Sequence, residues 1–253
     1  SIEDVLQKAR SAQPGVREFH IVSGLHPDLP FSWYLDMLGS LRKEFPHIHL
    51  KAFTAVEIDY LAKLSGLGIK DTLLKLREAG LGSLPGGGAE IFAPGVRNTL
   101  CAEKISGDRW LEVMETAHGI GLKSNATMLY GHIESIEDRV DHLLKLRDLQ
   151  DRTSGFQAFI PLSFHATNTE ISKSAYTTGF DDLKTLALSR LLLDNFDHIK
   201  AYWVMLGEKI TQVSLSFGVD DIDGTVVEER ITKMAGGTTD GSMTKNELID
   251  LIR

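Results

Sequence analysis

An α/β chain wound on a parallel sheet, in the manner of a (β/α) barrel, is what this sequence predicts. Three observations carry the expectation. Strand-like and helix-like segments alternate without interruption, which is the pattern of parallel βαβ units. Seven strand segments can be placed, at 17–25, 49–58, 83–92, 123–129, 155–162, 199–205 and 218–223. Each is followed by a polar or glycine-rich run, and in such barrels the site lies at the C-terminal ends of the strands. Eight strands close a TIM-type barrel, and this chain opens on a helix. The expectation is therefore an incomplete barrel of about seven parallel strands, the first strand missing.

Taken in order, 2–10 reads as a helix with Ile2, Val5, Leu6 and Ala9 on one face. Pro14-Gly15 ends it, and the strand 17–25 runs into Ser-Gly-Leu-His-Pro. A Leu-, Trp- and Tyr-rich helix over 31–45 is closed by Pro46, and a strand over 49–58 follows. Helices over 59–65 and 69–79 precede Gly80, a good helix stop. Next comes Ser-Leu-Pro-Gly-Gly-Gly-Ala-Glu-Ile-Phe at 83–92. Three successive glycines let a backbone approach a ligand and adopt torsions closed to other residues, and Glu90, just beyond Ala89, offers a carboxylate to ligand hydroxyls or an ammonium. Beyond it, helices fall at 107–118, 136–153, 180–195 and from 209, between the remaining strands. The domain division is a partial barrel over 1–233, then a glycine-rich segment and C-terminal helix over 234–253. Thr244 with Glu247 three residues on is a capping box for that helix.

Composition narrows the function. At 253 residues with 42% hydrophobic and 25% charged side chains the chain is ordinary globular material. A net charge of -8 argues against general nucleic-acid or membrane-surface binding, and no apolar run has the length of a membrane span. One cysteine, Cys101, excludes an internal disulfide and a cysteine-only metal site. A cytoplasmic setting is expected. His26, His132 and His165 follow predicted strands, as do Glu57, Glu90, Glu134 and Glu170. Their spacing matches no metal-binding motif, so no protein-only metal site is assigned. Phosphate-loop and dinucleotide patterns are absent. Met128, Trp203 and Met205 read as core.

Six segments then occur in one order: His20-Ile-Val-Ser-Gly-Leu-His-Pro-Asp-Leu-Pro30, Lys51-Ala-Phe-Thr-Ala-Val-Glu57, Leu84-Pro-Gly-Gly-Gly-Ala-Glu-Ile-Phe92, Ser124-Asn-Ala-Thr-Met-Leu-Tyr-Gly-His-Ile-Glu134, Phe159-Ile-Pro-Leu162 and Ala201-Tyr-Trp-Val-Met-Leu-Gly207. Together they resemble the aminofutalosine synthase family, radical S-adenosylmethionine enzymes of the futalosine route to menaquinone. Dehypoxanthine futalosine cyclase and the FO synthase subunits share much of the pattern. The resemblance implies a radical-S-adenosylmethionine barrel and a transferase reaction. In that reaction a [4Fe-4S] cluster cleaves S-adenosylmethionine, and the 5′-deoxyadenosyl radical adds to 3-[(1-carboxyvinyl)oxy]benzoate. It also implies a small-molecule substrate and an external electron donor, with a homodimer as an option.

Carried onto matching positions, the resemblance puts Ser23 and Gly24 at the methionyl end of the cofactor and Glu90 at its ribose or amino group. Gly87 and Gly88 lie beside that group. Tyr130, Gly131, Glu134, Ile160 and Pro161 flank the adenine. His26, Glu57, His165, Asn168 and Thr169 are assigned to the substrate pocket. The sequence departs from the family in having no three-cysteine cluster loop, in Ser23 where relatives carry glycine, and in Ala166 after His165 in place of proline. The cluster ligands are thus absent from this chain, and family activity is not expected of it alone. The contrasting expectation is a cluster-free barrel that keeps only adenosyl binding.

Overall fold

The computed structural model describes residues 1–12, 15–166, 169, 171, 177–226 and 242–253. In chain order its elements are α1 (Ile2–Arg10), β1 (Glu18–Ile21), α2 (Phe31–Glu44), β2 (His49–Ala52), α3 (Ala55–Ser65), α4 (Ile69–Ala79), β3 (Ser83–Leu84) and α5 (Pro94–Leu100). After these come α6 (Gly107–Gly119), β4 (Lys123–Tyr130), α7 (Ile136–Thr153), β5 (Phe156–Ser163), α8 (Gly179–Leu192), β6 (His198–Ala201) and α9 (Trp203–Leu206). The chain closes with α10 (Glu208–Ser214), a 3-10 turn (Leu215–Phe217), β7 (Asp221–Ile222) and α11 (Lys245–Ile252). The strands follow one another in sheet order from β1 to β7. Every pair with a described register is parallel, as in Glu18↔His49, Ser83↔Lys123 and Ala158↔His198. The expected α/β class with seven parallel strands of the TIM type is what the chain adopts.

Two compact units divide these elements. One holds 1–88, 103–125 and 153–155; the other holds 89–102, 126–152 and 156–253. In the first, Leu38 and Leu41 on α2, Ile58 and Leu61 on α3, Leu73 and Leu76 on α4, and Trp110 and Met114 on α6 are all buried. Their spacing of three or four residues is what turns one stripe of each helix inward. The helix α1 is the exception, for it buries no residue. It is held by its Ser1–Asp4 capping box and by Arg10, whose fork meets Glu44 of α2 at 2.5 and 2.8 Å. In the second unit Leu143, Leu146 and Leu149 line one face of α7, and Phe196 stacks on Phe156 with centroids 5.2 Å apart.

The strand expected over 17–25 spans Glu18–Ile21 and the one expected over 218–223 spans Asp221–Ile222. Three further strands also differ from the sequence expectation. The strand expected over 49–58 ends at Ala52, because Phe53 turns with φ +61° and Thr54 caps a helix starting at Ala55. Thr54 and Glu57 form a reciprocal capping box, a helix-start signal inside an apolar run that otherwise reads as strand. The strand expected over 199–205 gives way after Ala201 to the short helix α9, since a short buried apolar run has the same appearance in either conformation. The strand expected over 83–92 is two residues long, because Pro85 and the glycines that follow withdraw donors and side-chain packing from the ladder. Of the glycine-rich segment expected over 234–243, residues 234–241 lie outside the described residues.

Candidate active site

In the first unit the segment after β1 is fastened to the start of α3. Glu57, 5% exposed, accepts from the Ser23 amide and hydroxyl, both at 3.0 Å, and from the Thr54 amide at 2.8 Å. Burial raises the Glu57 carboxyl above its ordinary range, against the pull of the hydrogen bonds from Thr54 and Ser23. Tyr60, one turn further along α3, donates its hydroxyl to the His26 carbonyl at 2.7 Å. The whole 23–26 segment is thus anchored on one helix, with Gly24 and His26 exposed. The glycines approach the same cap. A Cβ on Gly87 would lie 3.0 Å from Thr54 Cγ2, and one on Gly88 would lie 2.6 Å from Val56 Cγ2. Trp110 of α6 donates its indole N–H to the Gly87 carbonyl at 3.1 Å. Ser23, Glu57, Gly87 and Gly88 are therefore one cluster, organised by Thr54 and Trp110, which the sequence reading did not single out. The Thr-x-x-Glu spacing was the signal available for Thr54.

In the second unit Glu90 is half-buried and has φ +45°. A non-glycine residue in the left-handed region is uncommon and marks a position that its surroundings force. Its carbonyl accepts from the Leu129 amide of β4 at 2.8 Å. At the end of β4 the Tyr130 hydroxyl, deeply buried, donates to Asp182 at 2.7 Å. Burial raises the Asp182 carboxyl, although hydrogen bonds from Tyr130 and Ser163 oppose the shift. Gly131 turns with φ +87° and donates to Glu134 at 2.5 Å. The Glu134 side chain, 1% exposed, also takes the His132 amide at 2.9 Å and Arg139 at 2.7 and 2.6 Å. His132 Nδ1 lies 2.9 Å from Glu134 and 2.7 Å from the Ile133 amide. A neutral ring accepts there from Ile133, and a protonated ring donates to Glu134. The tyrosine and the glutamate are thus spent on internal partners, as are the amides of Gly131, His132 and Ile133, and the Ile133 side chain is exposed. Ile160 is half-buried and Pro161 buried on β5. His165 Nε2 lies 3.3 Å from the Met205 carbonyl, and Thr169 bonds back to the Ala166 carbonyl. Asn168 lies outside the described residues. Asp182 and Arg139 were not read from the sequence, because nothing local marks a helix-borne charge as the partner of a distant turn.

Glu134 gives a pH prediction. Burial works against its charge, but contacts from His132, the Gly131 amide and Arg139 more than offset this and bring its pKa to about 2. An unfolded glutamate titrates near ~4.3. A carboxyl depressed on folding stabilises above that value and loses the contribution as the pH falls toward 2. Urea melts of Glu134→Gln are expected to show a loss of about 2–3 kcal/mol at pH 7. The difference from wild type should shrink between pH ~4.5 and 2. A pH-independent difference would refute the assignment.

Comparison with known proteins adds the family. A family model described as the CofH/MqnC C-terminal region matches residues 153–253. The chain is 50% identical over 244 residues to the aminodeoxyfutalosine synthase of Thermus thermophilus, covering 95% of this chain and 66% of that protein. It is 44% identical to the enzyme of the same name from Streptomyces coelicolor, with 100% of this chain and 68% of that one covered. With the 5-amino-6-(D-ribitylamino)uracil–L-tyrosine 4-hydroxyphenyl transferase of Methanococcoides burtonii the identity is 37%, over 100% and 73%. The chain thus spans about two thirds of the length of the curated relatives it matches. Among solved structures, methylornithine synthase superposes with a TM-score of 0.71 at 15% identity, covering 100% of this chain and 69% of that one. A maturase of the [FeFe]-hydrogenase gives 0.71 at 16%, covering 100% and 55%. At such identities these two speak for the fold alone. By sequence identity over its whole length, the chain belongs to the aminodeoxyfutalosine synthase family.

Proposed function

We propose that this chain forms part of a radical S-adenosylmethionine transferase of the aminodeoxyfutalosine synthase kind, acting in menaquinone biosynthesis on 3-[(1-carboxyvinyl)oxy]benzoate. The identities of 50% and 44% with synthases of that name, against 37% with the tyrosine 4-hydroxyphenyl transferase above, favour this reaction over its sisters. The observation that carries the site is Glu90, a carboxylate held in left-handed backbone two residues after a run of three glycines.

Each unit carries groups of the kinds that S-adenosylmethionine would take. Gly24 is exposed with open space where a Cβ would stand, so its backbone can meet the methionyl end. Glu90 takes hydrogen bonds from ribose hydroxyls or the amino group. The main chain at Tyr130 and Gly131, with Ile160 and Pro161, forms the surface for the adenine. Glu57 and Glu134 act one step back, holding the 23–26 segment and the 131–134 turn in place. His26, His165, Asn168 and Thr169 are proposed for the substrate pocket. When bound, the cofactor supplies the adenosyl group that the reaction transfers. An external electron donor, a cytoplasmic setting and possible homodimers belong to the same reading.

The [4Fe-4S] cluster does not fit these residues. Iron–sulfur clusters are held by cysteine thiolates, and the single cysteine, Cys101, is buried. No group of three or more metal-ligating side chains occurs among the described residues. The membrane reading is narrower: among the described residues no helix is long and apolar enough to cross a bilayer.

Titration calorimetry of S-adenosylmethionine into the intact protein tests the site. A charge-assisted hydrogen bond is worth about 1.5–3 kcal/mol, so Glu90→Gln is expected to weaken binding roughly tenfold to a hundredfold. Glu112→Gln, on the solvent side of α6, should leave it alone. Unchanged affinity in Glu90→Gln would sink the proposal for this residue.

A further inference from the structure

Arg97 is 4% exposed, on the short helix α5. A guanidinium is almost never buried so completely unless its donors are satisfied. Two of its hydrogen bonds go to main chain. Arg97 Nη1 donates to the Ala89 carbonyl and to the Ile91 carbonyl, the latter at 3.1 Å. Those are the two carbonyls on either side of Glu90. The carbonyl of Glu90 itself is taken by the Leu129 amide at 2.8 Å. Two residues on, the Phe92 ring stacks on His142 with centroids 3.8 Å apart and planes 18° apart. His142 is fully buried, gives its Nε2 to the Thr127 carbonyl, and is kept neutral by burial, its pKa pushed down to about 3. The segment from Ala89 to Phe92 is thus gripped from three sides, and the grip is centred on its one left-handed residue.

The local chemistry asks for an explanation. A side chain at φ +45° costs about 1–2 kcal/mol that glycine would not incur. Three glycines stand just before this position, yet the sequence places glutamate on it. Such strain persists where the surroundings over-determine it. One nitrogen with two N–H groups holds the Ala89 and Ile91 carbonyls, and the Leu129 amide holds the Glu90 carbonyl between them. Arg97 thus fixes the peptide plane before Glu90 and the one after Ile91, and with the Leu129 bond this sets the direction in which the carboxylate leaves the backbone.

We propose that Arg97 is the positioning residue for Glu90: by clamping the Ala89 and Ile91 carbonyls it holds the strained backbone that aims the carboxylate at the ligand. This rests on the reading of Glu90 as a cofactor-binding residue. Lysine at 97 would keep the charge but end one bond short and lose the planar fork. It would serve one carbonyl and release the other. A carboxylate displaced by an ångström forfeits most of a directional hydrogen bond.

The test is a double-mutant cycle in the intact protein, read by S-adenosylmethionine titration and by melting temperature: Arg97→Lys, Arg97→Met, Glu90→Gln and Arg97→Lys/Glu90→Gln. Arg97→Lys should weaken binding about tenfold in the wild-type background and not at all in the Glu90→Gln background, since groups acting through one another are not additive. Arg97→Met should lose more affinity than Arg97→Lys; if it fails to fold, the lysine cycle alone decides. Wild-type affinity in Arg97→Lys overturns the proposal. So does a tenfold loss of the same size with and without Glu90, which would make Arg97 a fold residue only. Unchanged binding in Glu90→Gln alone overturns the cofactor reading instead. A weakened Glu90→Gln beside an unaffected Arg97→Lys overturns the role of Arg97 and spares that reading.

Discussion

Gly131→Val is expected to lower the melting temperature by about 8–16 °C, as a loss near 4 kcal/mol would in a chain of this size. Two causes add. Gly131 has φ +87°, and a β-branched residue is a true outlier there. The left-handed penalty is about 1–2 kcal/mol even for an unbranched side chain. The first added carbon would also lie 2.1 Å from Thr177 Cγ2. Thr177 cannot simply swing away, because its hydroxyl is bonded to Ser163 at 2.6 Å. Overpacking of this kind costs about 1–3 kcal/mol. Gly121→Ala separates the two causes, since Gly121 has φ +86° with nothing within 4 Å of an added Cβ. Its melting temperature should fall by about 2–8 °C, the backbone penalty alone. Equal losses in the two variants would show that the Thr177 contact carries nothing. The damage in Gly131→Val should reach the site, because the Gly131 amide is one of the donors that keep Glu134 in place.

Glu57→Ala is expected to cost about 3 kcal/mol and to release the 23–26 segment. The carboxylate accepts from the Ser23 amide, the Ser23 hydroxyl and the Thr54 amide. Alanine leaves those donors without their acceptor, and a deserted buried donor costs about 1–3 kcal/mol, with loss of the capping box on top. Urea denaturation measures the energy, and proteolysis near Leu25 measures the release. The acid behaviour should run opposite to that of Glu134. The folded Glu57 carboxyl titrates above its unfolded value. Its protonation therefore favours the fold at acid pH, and that contribution is lost as the pH rises through the folded pKa. Stability indistinguishable from wild type in Glu57→Ala would show that the cap closes without the carboxylate. It would also leave Glu57 to the substrate pocket, where the sequence reading put it.

What the sequence determined by itself was the alternation. Apolar stripes at helical spacing on α2, α4, α6 and α7 could bury only against a sheet, and strands joined by such helices could only be parallel. Those facts are local or nearly so, and they located the segments after the strands as the place to look. The glycine run at 86–88 and the carboxylate at Glu90 were visible for the same reason, since residue type and immediate neighbours define them. Where the chain left the sheet was less legible. Phe53 and Thr54 turn it into α3 after Ala52, and an apolar run beyond that point reads equally well as strand or helix until the cap is seen.

The tertiary structure alone decided which polar groups are consumed within the protein. Glu57 and Glu134 look alike in sequence to Glu90, each a carboxylate shortly after a strand. Only the fold brings Ser23, 34 residues away, to Glu57, or Asp182, 52 residues away, to the Tyr130 hydroxyl. Arg97 is the sharpest case. In sequence it is one basic residue on a short helix. Its burial, and its reach to the carbonyls of Ala89 and Ile91, follow from how α5 folds back on the segment that precedes it. A hydrogen bond between residues distant in sequence leaves no periodic trace, because its energy depends on position in space and not on spacing along the chain.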